Sequence, residues 1–161
     1  MKKGLLVLVL AWILCGCTAK DYETMSDVYP PEETPQAFAM HIDLPQDASV
    51  QTVGSESGKV IFCDGYEITM ETIAGESMDA TIKSMTGFQM DQLTVMKTQK
   101  GALACYSTVW SAATESGDQI CRGVILDDGN YHYCLCMSAP AENAAQLQEQ
   151  WQAIIASFSL S

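Results

Sequence analysis

The sequence predicts an α+β domain: a curved antiparallel sheet of about six to seven strands, with a short helix and a long C-terminal helix packed on it. Three observations lead there. Residues 38–138 break into short runs separated by the turns Asp64-Gly65, Gln99-Lys100-Gly101, Glu115-Ser116-Gly117 and Asp127-Asp128-Gly129-Asn130, the pattern of successive hairpins. The last run is apolar on both faces, with Tyr131, Tyr133, Leu135 and Met137 on one side and His132, Cys134 and Cys136 on the other. A sheet with one face in water would place polar residues there, so both faces need cover. Finally, Ala144, Leu147, Trp151, Ile154 and Phe158 are spaced 3, 4, 3, 4, one apolar stripe of a helix.

The N-terminus reads as an address followed by an anchor. Lys2 and Lys3 precede an apolar stretch from Leu5 to Leu14. About ten apolar residues are too few to span a bilayer, which takes roughly 20. Leu14-Cys15-Gly16-Cys17 follows. This run resembles the lipobox of bacterial lipoprotein precursors. The resemblance implies a signal peptide over residues 1–16, cleavage after Gly16, and diacylglycerol on the sulfur of Cys17. Loss of Lys2 and Lys3 leaves six of eight basic side chains, and all 20 acidic residues lie beyond Cys17. An acidic body is repelled by anionic headgroups, so the acyl chains must hold it at the membrane.

Residues 17–36 read as a tether. Asp21, Glu23, Asp27, Glu32 and Glu33 repel one another and extend the segment, while Pro30, Pro31 and Pro35 stiffen it. Its apolar residues are few and aperiodic, so it buries no face. Tyr22 and Tyr29 read as solvated aromatics on it.

A single domain is expected over residues 37–161. Phe38, Met40 and Ile42 alternate with Ala39, His41 and Asp43, a half-buried strand. Lys59 to Cys63 and Tyr66 to Ala74 flank Asp64-Gly65 as a hairpin. Ser77 is a suitable N-cap for a short helix with Met78, Ile82 and Met85 on one face, and Gly87 suits its C′ position. Four strands follow, Leu93 to Thr98, Leu103 to Ala113, Asp118 to Leu126 and Tyr131 to Ser138, as a meander. The closing helix starts at Pro140, which suits a first turn, with Glu142 complementing its positive end.

Hairpin, helix, antiparallel meander and C-terminal helix, together with the Asp64-Gly65-Tyr66 turn and the ending Trp151…Ser157-Phe158, resemble the PsbP/Mog1-like α/β/α sandwich over residues 38–160. The resemblance implies a binding or assembly factor and carries no catalytic residues.

The chain has 161 residues, with 8 Lys and Arg against 20 Asp and Glu, a net charge of −12. That balance argues against a nucleic-acid partner, which needs clustered cations. No nucleophile elbow, zinc-binding helix motif or phosphate-cradling glycine loop occurs, and no cofactor is called for. His41 reads as a surface residue, His132 as a packing or hydrogen-bonding one. Arg122, the single arginine, is expected to pair with a carboxylate, with an anion-binding role as the alternative. Asp127-Asp128 sits in a turn, where Asp is at home, and offers too few oxygens for calcium.

After removal of Cys15 and lipidation of Cys17, Cys63, Cys105, Cys121, Cys134 and Cys136 remain. A two-residue turn at Asp128-Gly129 places Cys121 opposite Cys136, a candidate disulfide in a compartment that permits one. Buried free thiols and a metal or redox site at Cys134, Cys136 and His132 compete with it; no second cysteine knuckle is present for zinc. Two functional readings follow: a membrane-anchored extracytoplasmic module that binds an unknown protein or small molecule without catalysis, or a thiol-redox or metal-handling lipoprotein.

Overall fold

The computed structural model describes residues 34–45, 51–55, 57–75 and 77–161. Cys17 and the tether through Glu33 lie outside the described residues, and Pro35–Ser161 forms one compact unit.

The strands, in chain order, are β1 (Met40–His41), β2 (Gln51–Gly54), β3 (Gly58–Cys63), β4 (Tyr66–Ala74), β5 (Val95–Lys100), β6 (Leu103–Thr114), β7 (Gly117–Asp127), β8 (Tyr131–Pro140) and β9 (Ser159–Leu160). Seven of them form one sheet in the order β2-β3-β4-β8-β7-β6-β5, and every neighbouring pair is antiparallel. The expected meander is therefore present as β5 to β8. The β3–β4 hairpin joins it through β4 beside β8, which makes β8 central. Met40 and His41 pair with Leu160 and Ser159 in a separate two-stranded ribbon, so the strand expected at residues 38–43 is confined to two residues.

Helix α1 (Met78–Thr86) begins where the sequence placed it. The Ser77 hydroxyl accepts from the Ala80 N–H at 3.2 Å, and Gly87 closes the helix in the left-handed region. One 3₁₀ turn (Met90–Gln92) leads into β5. The C-terminal stripe is not one helix. It divides into α2 (Ala141–Ala144) and α3 (Gln148–Ser157). At the division Gln146 N–H donates to Asn143 and Leu147 N–H to Ala144, the tighter i→i−3 spacing of a 3₁₀ turn. The stripe itself runs through the break unaltered.

Both faces of the central strands are covered. On one, Trp151, Ile154 and Phe158 of the C-terminal helix pack on Ile68, Met70, Val124, Leu126, Tyr133, Leu135 and Met137. On the other, Ile82 of α1 packs on Ile125 and Cys134, with Met78 and Met85 at the margin. Met85 sits so close over the sheet that a Cβ on Gly123 would lie 2.6 Å from its Cε and 3.1 Å from Trp110 Cζ3. Glycine is what permits that approach.

The register of β7 on β8 corrects one expectation. Cys121 faces Ser138, and Cys136 faces Gly123, so Cys121 and Cys136 are diagonal neighbours, not opposed. The turn explains it. Asp128 is the residue before the turn, because its Oδ1 accepts the N–H groups of both Asn130 (2.8 Å) and Tyr131 (2.7 Å). The two turn residues are then Gly129, at φ 90°, and Asn130. The shift is two residues, so each side chain keeps the face the sequence assigned to it.

Candidate functional site

Two places on the sheet hold the residues that the sequence singled out. The first is the α1 face, where β8 presents His132, Cys134 and Cys136, and β7 presents Cys121. His132 is 5% exposed. Its Nδ1 is 2.7 Å from Thr81 Oγ1, and its Nε2 is 3.8 Å from Asp127 Oδ1. One ring nitrogen is hydrogen-bonded and the ring is packed away from solvent, as suits a packing or hydrogen-bonding residue. Burial pushes the Cys134 thiol up to about 12, with Glu71 adding to it. Burial also pushes Cys136 up to about 12, with Cys121, Cys134 and Glu67 adding to it. Cys121 is raised by burial and then by Glu67. A thiol acts as nucleophile or metal ligand through its thiolate, and this face disfavours the thiolate three times over. Among the described residues no three His, Cys, Asp or Glu side chains converge as a metal would require. Diagonal positions such as Cys121 and Cys136 stand roughly 7–8 Å apart in an antiparallel pair, at or beyond the separation a disulfide spans.

The second place is on the opposite face. The helical layer crosses the sheet obliquely. α2 lies over β7 and β8, whereas the end of α3 reaches the end of β5, where Lys100 Nζ donates to the carbonyls of Ile155 and Ala156 at 2.9 Å each. A cation there also suits the negative end of the helix. Among the described residues no helix lies over the middle of β5 and β6 on this face. In the step between helix and bare sheet lies a cavity of about 280 Å³ lined by Val109, Ile120, Arg122, Ala144, Ala145, Gln148 and Trp151. A second hollow of about 180 Å³ continues it over β5, lined by Thr94, Met96, Ser107, Thr108, Val109 and Arg122. The two share Val109 and Arg122 and form one groove.

Arg122 is the cation of this groove. It pairs with Val109 on β6 and Met137 on β8, so it lies on the face that carries the apolar core. The carboxylate partner expected from the sequence is absent: Arg122 has no ion pair among the described residues. Parity gives the reason. Its neighbours on that face are Ile120 and Val124 along β7, Ser107, Val109 and Ser111 on β6, and Leu135, Met137 and Ala139 on β8, and none is acidic. Two other cations have partners, while Lys59 and Lys83, like Arg122, have no ion pair among the described residues. Lys97 sits over the Tyr106 ring at 5.1 Å, and Lys100 holds the end of α3. Met96 and Val109, on either side of the groove floor, are 60% and 57% exposed. Trp151 closes the inner wall; it is 3% exposed, with its rings 6.4 Å from Tyr66. Arg122 was legible in the sequence as the sole arginine, but its surroundings were not, because they depend on where the helical layer stops.

Three solved structures share this architecture. LpqN of Mycobacterium tuberculosis, described as involved in cell envelope biogenesis, is 11% identical and superposes with a TM-score of 0.52 over 81% of this chain and 87% of its own. Cyanobacterial PsbP of Synechocystis is 8% identical, with a TM-score of 0.54 over 78% of this chain and 93% of its own. The Ran-binding protein Mog1p of Saccharomyces cerevisiae is 10% identical, with a TM-score of 0.47 over 76% and 90%. The likeness to LpqN and to cyanobacterial PsbP shows a PsbP-like α+β fold. No family model matches the sequence, and no curated protein matches it.

Proposed function

We propose that the chain is a lipid-anchored, extracytoplasmic binding or assembly module of the bacterial cell envelope, held at the membrane through Cys17, with the groove around Arg122 as its contact site. One observation carries the reading. The groove joins an unpaired guanidinium to exposed apolar side chains, yet among the described residues no His, Asp, Glu, Cys or Lys lines it. Such a surface can hold a partner by charge and apolar contact, but it offers no acid or base to move a proton. The lipobox-like run at residues 14–17 supports the address, and LpqN, of like fold, is described as belonging to cell envelope biogenesis. The thiol and metal reading has no comparable support, since the buried thiols are held protonated.

Site-specific photocrosslinking in cells tests the module. A photoreactive residue at Val109 or Met96 is expected to give a defined adduct, whereas one at Phe62, exposed on the other face of the sheet, gives none. Equal labelling at all three positions, or none at Val109 and Met96, would overturn the assignment of the groove.

A further inference from the structure

Resting on the reading of the groove as a contact site, we infer that its ligand is a small monoanionic amphiphile, a single carboxylate on a hydrocarbon body, with the carboxylate on Arg122 and the hydrocarbon along Val109 and Met96. The argument starts from charge. The chain carries a net −12, yet its one arginine is half-buried on an apolar face with no carboxylate within 4.0 Å among the described residues. A guanidinium so placed has lost part of its hydration without receiving an anion, and an incoming anion restores that loss. The planar fork of five N–H donors matches a carboxylate with two parallel hydrogen bonds.

Charge count sets the valence. Among the described residues Arg122 is the only cation lining either hollow, and the body around it is acidic. One negative charge is compensated there; a second would be left unpaired in an already negative field. Shape and polarity set the rest. From Arg122 the groove runs one way over Val109 and Met96 along β5, and the other way over Ile120 to Ala144, Ala145 and Trp151 beneath the helices. The hydroxyl of Thr108 is already committed to the Thr94 carbonyl at 3.1 Å. Ser107 and Gln148 remain as neutral donors at the rim. Volumes of about 280 and 180 Å³ lie at the small end of ligand cavities, which suits a chain of medium length better than a two-tailed lipid.

The test uses the full chain in nanodiscs, with empty nanodiscs as the reference for partition into lipid, and isothermal titration with decanoate. Saturable binding is expected, with a negative heat-capacity change from apolar burial. Arg122→Gln should raise Kd by about tenfold or more, since a charge-assisted pair is lost. 1-Decanol, with the same tail and no charge, should bind at least about tenfold more weakly than decanoate. Because Arg122→Gln also alters a strand of the sheet, Val109→Glu serves as the second variant. It changes a 57% exposed side chain directly opposite Arg122, supplies the missing carboxylate internally, and should abolish decanoate binding at an unchanged melting temperature. Decanol binding as tightly as decanoate, equal Kd for wild type and both variants, or no saturable binding would each overturn the ligand class. Crosslinking at Val109 reads the contact site without reference to a ligand, so failure of one experiment is distinguishable from failure of the other.

Discussion

Asp128 shows how much structure one side chain can organise. Its carboxylate accepts from the backbone of Asn130 and Tyr131 and from the Tyr133 hydroxyl at 2.8 Å, fixing the turn that registers the two central strands. Burial alone would raise its carboxyl, but the N–H groups of Tyr131 and Asn130, the Tyr133 hydroxyl and nearby His132 together hold it below the ordinary value of 3.8. A carboxyl lowered by folding stabilises the fold at pH above its unfolded value, and the contribution fades as pH falls through the folded one. Asp128→Ala should therefore cost about 1–3 kcal/mol at neutral pH, the range for orphaned hydrogen-bonding groups. The gap in melting temperature between wild type and variant should close as the pH is taken below 3.8; a gap independent of pH would place the loss elsewhere. Trp151 is the other residue on which much rests. Truncation to Ala should cost about 3–5 kcal/mol, a large part of a typical 5–15 kcal/mol stability, and chemical denaturation would measure it.

At the scale of elements, hairpins, α1 and the two-faced character of the central strand were legible because side-chain parity, caps and turn glycines are local. Three things were not. Gln51–Gly54 is a strand only because β3 lies beside it; its own sequence has a single large apolar residue. The break between α2 and α3 leaves the apolar stripe intact, so nothing in the spacing marks it. The register of β7 on β8 turned on which aspartate precedes the turn, a choice between two adjacent Asp residues that the side-chain hydrogen bonds decide. That register has its own test. Asp128 N–H donates to the Tyr131 carbonyl at 3.3 Å, so Asp128 and Tyr131 are a hydrogen-bonded pair. Hydrogen-bonded and non-hydrogen-bonded pairs alternate along the ladder, which makes Cys121 and Ser138 a non-hydrogen-bonded one, with the closer side chains. Ser138→Cys should therefore crosslink to Cys121 under mild oxidant, read by peptide mapping. A crosslink from Cys121 to Cys136 in the wild-type protein would contradict the register.

For the whole molecule, the fold class followed from element order, and the groove did not, because a groove is where one layer ends over another. The reading joins three parts: an acidic domain, a groove with one unmatched cation, and a lipid that keeps both at a membrane whose anionic headgroups would otherwise repel them. In the proposed function the other two parts depend for their place on acyl chains at Cys17, since single apolar contacts do not hold a protein of this charge at a surface. Intact-mass analysis of the protein recovered from the membrane fraction tests this most directly. The account predicts a chain that begins at Cys17 and carries the added mass of a diacylglyceryl group, with Cys17→Ala leaving an uncleaved and unlipidated precursor. A membrane-fraction protein that retains residues 1–16, or one that begins at Cys17 with an unmodified thiol, would contradict it.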